Sequence, residues 1–111
     1  MIQSSSRTSW TVLPLISDDA RFWFTNGRFE GVSAVRRAFE ATYDTIREEK
    51  YTISDVKWPV ATYWNSVCAF NFRSDGVVAG ARRTYEGYGT CILKRLNGSW
   101  RIVHEHLSNA H

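Results

Sequence analysis

Apolar and polar residues alternate along most of the second half of the chain, and this period of two predicts β-strands. The clearest run is 62–72, where the residues on one face are Trp64, Ser66, Cys68, Phe70 and Phe72. Other strands are predicted over 20–25, 28–31, 51–60, 77–95 and 99–108, with a bulge near Asp55 and bends at Gly80, Gly87 and Gly89. We therefore expect a bent, antiparallel sheet.

One segment has a helical period instead. Apolar residues recur at helical spacing from Ser33 to Lys50, and Ser33 suits the N-cap. The stripe consists of Val35, Ala38, Phe39, Thr42 and Ile46. A helix with one narrow apolar stripe packs on a flat partner, which the strands supply. The pattern predicts an α+β domain in which a curved antiparallel sheet wraps around one main helix.

Three turns are predicted from turn-forming residues: Asn26-Gly27, Ser74-Asp75-Gly76 and Asn97-Gly98. Pairing across the last one would put Cys91 opposite His104, Leu93 opposite Ile102 and Arg95 opposite Trp100. A strict period of two places Trp100, Ile102, His104 and His106 on one face and Glu105 on the other. This strand is predicted to run from the packed interior to the mouth of a cavity, with His104 at the rim.

Length and composition limit the classes of protein. The 111 residues suit one domain over 10–111 after a flexible N-terminus over 1–9. The net charge of +3 is spread along the chain, which argues against a nucleic-acid partner. The absence of a long apolar segment argues against a membrane span or a secretion signal, so we expect a cytoplasmic protein with Cys68 and Cys91 as free thiols.

Four motifs in this order resemble the nuclear transport factor 2-like superfamily, and within it the SnoaL-like family. They are Leu15 to Phe24, Gly31 with the helix Val35 to Phe39, Gly87 to Leu93, and Gly98 to Ser108. The resemblance implies a cystatin-like cone enclosing a ligand pocket, and dimerisation through the outer face of the sheet. Only about nine residues precede Trp10, so we expect the fold to lack the N-terminal helix that closes the cone in that superfamily.

The predicted function is binding of a small hydrophobic or aromatic molecule, without a cofactor, by a homodimer or higher homo-oligomer. The five Trp, five Tyr and six Phe supply an aromatic pocket, whose predicted lining is Trp23, Asn71, Tyr85 and His104. Two alternatives stay open. One is a cofactor-independent isomerase, dehydratase or cyclase that uses His104 as its acid-base group.

The other alternative is an oligomerisation module without a ligand, with Val103, Leu107 and Ile92 as contact residues on the outer face. The resemblance also implies that Phe24 occupies the position of the general-base carboxylate of ketosteroid isomerase, which excludes that mechanism from this position. A metal site formed by His104, His106 and Cys91 is the weaker interpretation, because ordinary strand alternation produces the same pattern, and no metal is predicted.

Overall fold

The computed structural model describes residues 2–4, 15–25 and 27–110. These residues form one helix and seven strands in a single sheet, with the strand order β1-β4-β5-β6-β7-β2-β3. The elements are β1 (Ile2–Ser4), β2 (Ile16–Phe24), β3 (Gly27–Glu30), α1 (Val32–Thr45), β4 (Arg47–Ala61), β5 (Asn65–Val78), β6 (Ala81–Leu96) and β7 (Ser99–Asn109). The predicted absence of an N-terminal helix concerns residues 5–14, which lie outside the described residues.

The sheet is mixed, whereas the sequence pattern predicted an antiparallel one. Neighbouring strands run antiparallel except β2 and β7, which are parallel. A parallel pair needs a long connection, and α1 with β4, β5 and β6 supplies it. β1 pairs with β4, so Ile2–Ser4 is a strand and not part of a loose tail. The rest of the predicted flexible terminus lies outside the described residues.

The helix is shorter than predicted. It begins after Gly31, whose φ of 86° favours glycine, and the N–H of Gly31 donates to the carbonyl of Ala20. It ends at Thr45, because Ile46 is already extended and Arg47 pairs with Val77 of β5. The predicted last turn, 46–50, therefore belongs to the C-cap and to β4. Tertiary pairing outweighs helix propensity in these residues.

The turns confirm part of the pattern. Asn97 and Gly98 both have positive φ and join β6 to β7 as predicted. β2 pairs with β3 up to Phe24 and Gly27, and Asn26 of the predicted turn lies outside the described residues. The predicted Ser74-Asp75-Gly76 turn is wrong, because β5 continues to Val78. Ala79 and Gly80 make that turn instead, with φ values of 52° and 80°. The bulge near Asp55 is confirmed by its φ of 52° and a register shift in β4.

The side of the sheet that carries the helix can be identified from Phe22. Phe22 is 2% exposed, and its ring packs edge-on against the ring of Phe39 in α1, with 6.1 Å between the centroids. It packs in the same way against Phe24 of its own strand, at 6.0 Å. Directly paired residues share a face, and alternate residues of a strand return to it. We call this side the inner face and the opposite side the outer face. The buried residues of the inner face include Ile16, Ala20, Phe22, Phe70, Phe72 and Cys91.

Two glycines of β6 make room for the rings of β5. Gly89 lies opposite Phe70 and Gly87 opposite Phe72, all on the inner face. A Cβ atom at Gly87 would lie 2.8 Å from the Phe72 ring, and one at Gly89 would collide with the Phe70 ring and approach Leu107 to 2.7 Å. Atoms of both rings therefore lie close to the backbone of β6, in space that a side chain would otherwise occupy.

Replacing Gly89 by Ala is expected to lower the free energy of unfolding by about 3 kcal/mol, because overpacking must displace Phe70 or Leu107. Urea unfolding followed by circular dichroism measures this. Gly27→Ala is the matched control, since its Cβ would meet nothing nearer than 3.5 Å, and it is expected to change stability by less than about 0.5 kcal/mol. Equal stability losses in the two variants would contradict this packing.

Candidate functional site

An extra residue in β7 decides which side chains face the helix. Leu93 pairs with Ile102 and Arg95 with Trp100, as predicted, but Ile92 then pairs with His104. Val103 has no partner of its own in β6, which is the geometry of a β-bulge. Past this bulge, Cys91 pairs with Glu105. The predicted pairing of Cys91 with His104 is therefore wrong by one residue.

A shift of one residue moves every following side chain to the other face of a sheet. Glu105 pairs with Phe22 of β2 as well as with Cys91, so it lies on the inner face with the core. His104 and His106 consequently lie on the outer face, away from the helix. The prediction that His104 stands at the rim of an internal cavity is corrected, and the ionisable residue on the inner face is Glu105.

Glu105 is partly buried among apolar neighbours. Phe22 and Cys91 flank it across the two neighbouring strands, and Leu107 follows it on the same face. Within the described residues, the structure gives its carboxylate no hydrogen-bond partner. Burial raises the pKa of Glu105 from 4.5 to about 7. A carboxyl group with that pKa can release and recover a proton near neutral pH.

Other polar groups of the inner face respond to the same environment. Burial, with the charges of Glu105 and Glu49, raises the pKa of Tyr51, whose ring stacks on Phe72 at 5.7 Å. Burial also raises the pKa of the Glu49 carboxyl, although a 2.5 Å hydrogen bond from the Ser74 hydroxyl opposes this. The inner face thus holds two carboxyl groups whose neutral forms are favoured.

The four residues predicted to line a pocket do not lie together. Trp23 and His104 touch on the outer face, with 5.0 Å between ring centroids. Asn71 is also on the outer face, where it pairs with Tyr88 of β6. Because β6 lies between β5 and β7, it separates Asn71 from His104. Tyr85 pairs with Ser74 on the inner face and is 38% exposed. The sheet itself separates Tyr85 from the other three residues.

His104 is surrounded by groups that disfavour its charged form. Burial and the nearby charges of His106 and Arg21 lower the pKa of His104. A hydrogen bond with the Arg21 backbone raises this pKa but does not outweigh them. The Trp23 ring lies against both imidazoles, and the Arg28 guanidinium is 5.3 Å from the Trp23 ring. The metal site considered for His104, His106 and Cys91 cannot form, because Cys91 lies on the opposite face.

An open cleft of about 350 Å³ lies between α1 and the β2–β3 hairpin. We call it the helix cleft, and its walls are Phe24, Phe29, Ala34, Arg37, Ala38, Ala41, Thr42, Thr45 and Ile46. The alanines leave the space free, the two phenyl rings supply an apolar wall, and Arg37 is the one charged residue among the described residues that line the cleft. A volume of this size is within the usual range for small-molecule sites.

A second open cleft of about 380 Å³ is more polar. It lies between the start of β2 and the β6–β7 turn, and Asp18, Asn97 and Arg101 are among its lining residues. No helix in the described ranges is long and apolar enough to cross a bilayer, and no cluster of three potential metal-ligating side chains occurs there. Because its lining is less polar than that of the second cleft, the helix cleft is the better candidate for an apolar ligand.

Phe29, Arg37 and Glu105 are the candidate residues that sequence reasoning missed. Phe29 lies in the strand predicted over 28–31, and Arg37 lies outside the apolar stripe predicted for the helix. Glu105 was assigned to the wrong environment by the strict period of two. The apolar residues on both sides of Glu105 were the available signal, because Val103 and Leu107 do not suit an exposed face.

The raised pKa of Glu105 predicts that stability falls as the pH rises. The folded state favours the protonated carboxyl, so its stabilising contribution is complete below pH 4.5 and is lost as the pH passes through about 7. Glu105→Gln removes this contribution. Between pH 4.5 and 8, the difference in unfolding free energy between wild type and variant should change by about 3 kcal/mol.

Chemical denaturation at several pH values measures the unfolding free energies of wild type and Glu105→Gln. The lowered pKa of His104 makes stability rise with pH in both proteins, so this contribution cancels in their difference. Glu86→Gln is the control, since it removes a carboxylate that is 59% exposed on the same sheet. If the unfolding free energies of Glu105→Gln and wild type changed with pH in parallel, this result would contradict burial of the Glu105 carboxyl group.

Comparison with known folds supports the cone-shaped architecture. LinA superposes with a TM-score of 0.84 and 13% identity, covering 96% of this chain and 76% of that chain. A nuclear transport factor 2-like protein from Salmonella enterica serovar Typhimurium gives 0.82 and 20%, covering 96% and 80%. A Nostoc punctiforme protein of unknown function with a cystatin-like fold gives 0.79 and 15%, covering 96% and 79%.

At these identities the similarity establishes the fold alone. Among proteins with curated functions, none matches this sequence significantly. A family model, however, matches residues 1–111, which is the whole chain, and its description is "SnoaL-like domain". Sequence and fold thus agree with the predicted resemblance. The chain belongs to the SnoaL-like domain family.

Proposed function

We propose that this protein binds a small, largely apolar molecule carrying one negatively charged or strongly electron-rich group, and that the helix cleft is the site. The observation that carries the proposal is the cleft itself, whose described lining includes two phenyl rings, three alanines and the side chain of one arginine, Arg37. Apolar walls supply affinity by removing ligand surface from water, and a single charged group fixes orientation.

The aromatic wall is held in place by the core. Phe24 and Phe29 lie 5.5 Å apart across the β2–β3 hairpin, and Phe24 also contacts the buried ring of Phe22. Ala38 is 8% exposed, so the floor of the cleft belongs to the packed interface of α1 with the sheet. A site with such walls needs little rearrangement to accept a ligand, which lowers the cost of binding.

This proposal keeps the predicted class of ligand and changes the residues. Trp23, Asn71 and His104 lie on the outer face, so they are not part of the helix cleft. An acid-base role for His104 remains a prediction, and it would require a substrate on the outer face. On the inner face, Glu105 is the group with a pKa suited to proton transfer, and Phe22 separates it from the phenyl wall of the helix cleft.

Replacing Arg37 by Gln is expected to weaken binding of an anionic apolar dye, 1-anilinonaphthalene-8-sulfonate, by roughly tenfold, because a charge-assisted contact is lost. Fluorescence titration measures the dissociation constant. The matched control is Arg36→Gln, which removes the same charge from the neighbouring, exposed position of α1 outside the cleft. Its dissociation constant is expected to stay within about twofold of wild type.

A neutral dye, N-phenyl-1-naphthylamine, separates charge from shape. Its affinity should not respond to Arg37→Gln, but Ala41→Leu should reduce the affinity for both dyes because the added side chain fills the cleft. Equal dye affinities in wild type, Arg37→Gln and Ala41→Leu would contradict the helix cleft as the binding site.

A second proposal concerns assembly: we infer that two copies associate through their outer faces. Val60, Val67, Ile92 and His104 form one continuous row across β4, β5, β6 and β7. Tyr88 and Trp23 lie on the same face and are 62% and 37% exposed. An apolar area of this kind is typical of an interface between protein subunits. Leu107 is no part of it, because it packs in the core.

Tyr88→Lys is expected to raise the dimer dissociation constant by roughly thirtyfold, since a charge would be placed in the apolar interface. Light scattering coupled to size-exclusion chromatography over a dilution series measures this. Tyr63→Lys is the matched control, because Tyr63 is 63% exposed but lies in the β4–β5 turn. A wild-type protein that remains monomeric at high micromolar concentration would contradict the inferred dimer.

A further inference from the structure

Cys68 and Cys91, the two cysteines of the chain, lie directly opposite each other on adjacent antiparallel strands. Both are free thiols, and both point to the inner face, where Cys68 packs against the cluster of Phe70, Phe72 and Cys91. Directly paired residues of an antiparallel sheet have Cα atoms about 4.5 to 5.5 Å apart. Disulfides span Cα distances of about 4.4 to 6.8 Å, so these strands need not separate to be linked.

The two thiols differ in access to solvent. Cys91 is 8% exposed, whereas Cys68 is only partly buried and can meet a small, uncharged oxidant first. Cys91 then lies next to any oxidised sulfur at Cys68, in the position of a resolving thiol. Exposure of one cysteine and a neighbouring thiol that can resolve its oxidised form are two of the features found in oxidisable thiol pairs.

We propose that Cys68 and Cys91 are a modification site, where hydrogen peroxide oxidises the two thiols to a disulfide that links β5 and β6. In the first step the Cys68 thiolate attacks one peroxide oxygen, the O–O bond breaks, and sulfenic acid and hydroxide form. The hydroxide takes up the proton that the Cys68 thiol released and becomes the first water. In the second step the Cys91 sulfur attacks the Cys68 sulfur and a second water leaves. Two thiols lose two electrons and two protons, and one peroxide is reduced to two waters.

Glu105 controls the rate of this reaction. It pairs with Cys91 on the side opposite Cys68, so the three residues form one row across β5, β6 and β7. Burial and the charge of Glu105 raise the pKa of both thiols. Because the thiolate is the reactive form, a charged Glu105 slows oxidation. The pair is therefore a slow site that responds to sustained peroxide.

The test treats dilute, reduced, folded protein with hydrogen peroxide at pH 8, then blocks free thiols and measures the intact mass. The expected product is a monomer that has lost two hydrogens, has no thiol left to alkylate, and returns to the starting mass with dithiothreitol. Since the chain has two cysteines, an intramolecular disulfide identifies the pair without peptide mapping.

Three variants separate the steps. Cys91→Ala should accumulate sulfenic acid at Cys68, which dimedone traps, whereas Cys68→Ser should leave Cys91 alkylatable after denaturation. Glu105→Gln should oxidise several-fold faster than wild type at pH 8. Near-ultraviolet circular dichroism before and after treatment checks that the folded protein is being oxidised.

Three results would overturn the proposal. The first is wild-type protein that keeps two alkylatable thiols under conditions that oxidise Cys68 in Cys91→Ala. The second is stepwise gain of oxygen without loss of hydrogen, and the third is a disulfide between two chains. None of these readouts depends on a ligand in the helix cleft, so the inference stands or fails independently of the proposed function.

Discussion

The position of one unpaired residue, Val103, determines the chemistry of both faces of the sheet. Before it, β7 contributes Ile102 to the core in register with Leu93. After it, the same strand contributes Glu105 and Leu107, and the two histidines turn outward. Without the bulge, two imidazoles would face the helix and a carboxylate would face water. The raised pKa of Glu105 and the outer pair of Trp23 with His104 follow from this register, and the charge of Glu105 adds to burial in raising the pKa of both thiols.

The inner face has room for such groups because of small residues at particular places. Gly87 and Gly89 leave room beside β6 for the Phe72 and Phe70 rings of β5. The alanines of α1 have the complementary effect and leave the helix cleft open beside Phe24 and Phe29. The fold thus separates an apolar cleft under the helix, an ionisable row along Cys68, Cys91 and Glu105, and an apolar outer face suited to a second copy.

The sequence predicted more of the fold than of the site. The strand predicted over 62–72, the Asn97–Gly98 turn and the Asp55 bulge depend on local preferences. The turn and the bulge appear in the structure, and the strand appears with its bounds moved to Asn65–Val78. The end of α1 depends on pairing between β4 and β5, which helix periodicity cannot reveal. The face of His104 depends on a bulge that only tertiary packing selects. Since one extra residue reverses every later side chain, a nearly correct hairpin still assigned His104 to the wrong face of the sheet.

The register of β7 against β6 is measured most directly by nuclear Overhauser effects in the folded protein. This account predicts cross-strand contacts between the backbone protons of Cys91 and Glu105 and of Ile92 and His104, together with contacts between the Trp23 and His104 rings. Contacts between Cys91 and His104 in an unbroken ladder, with the imidazole near Phe22, would contradict the account.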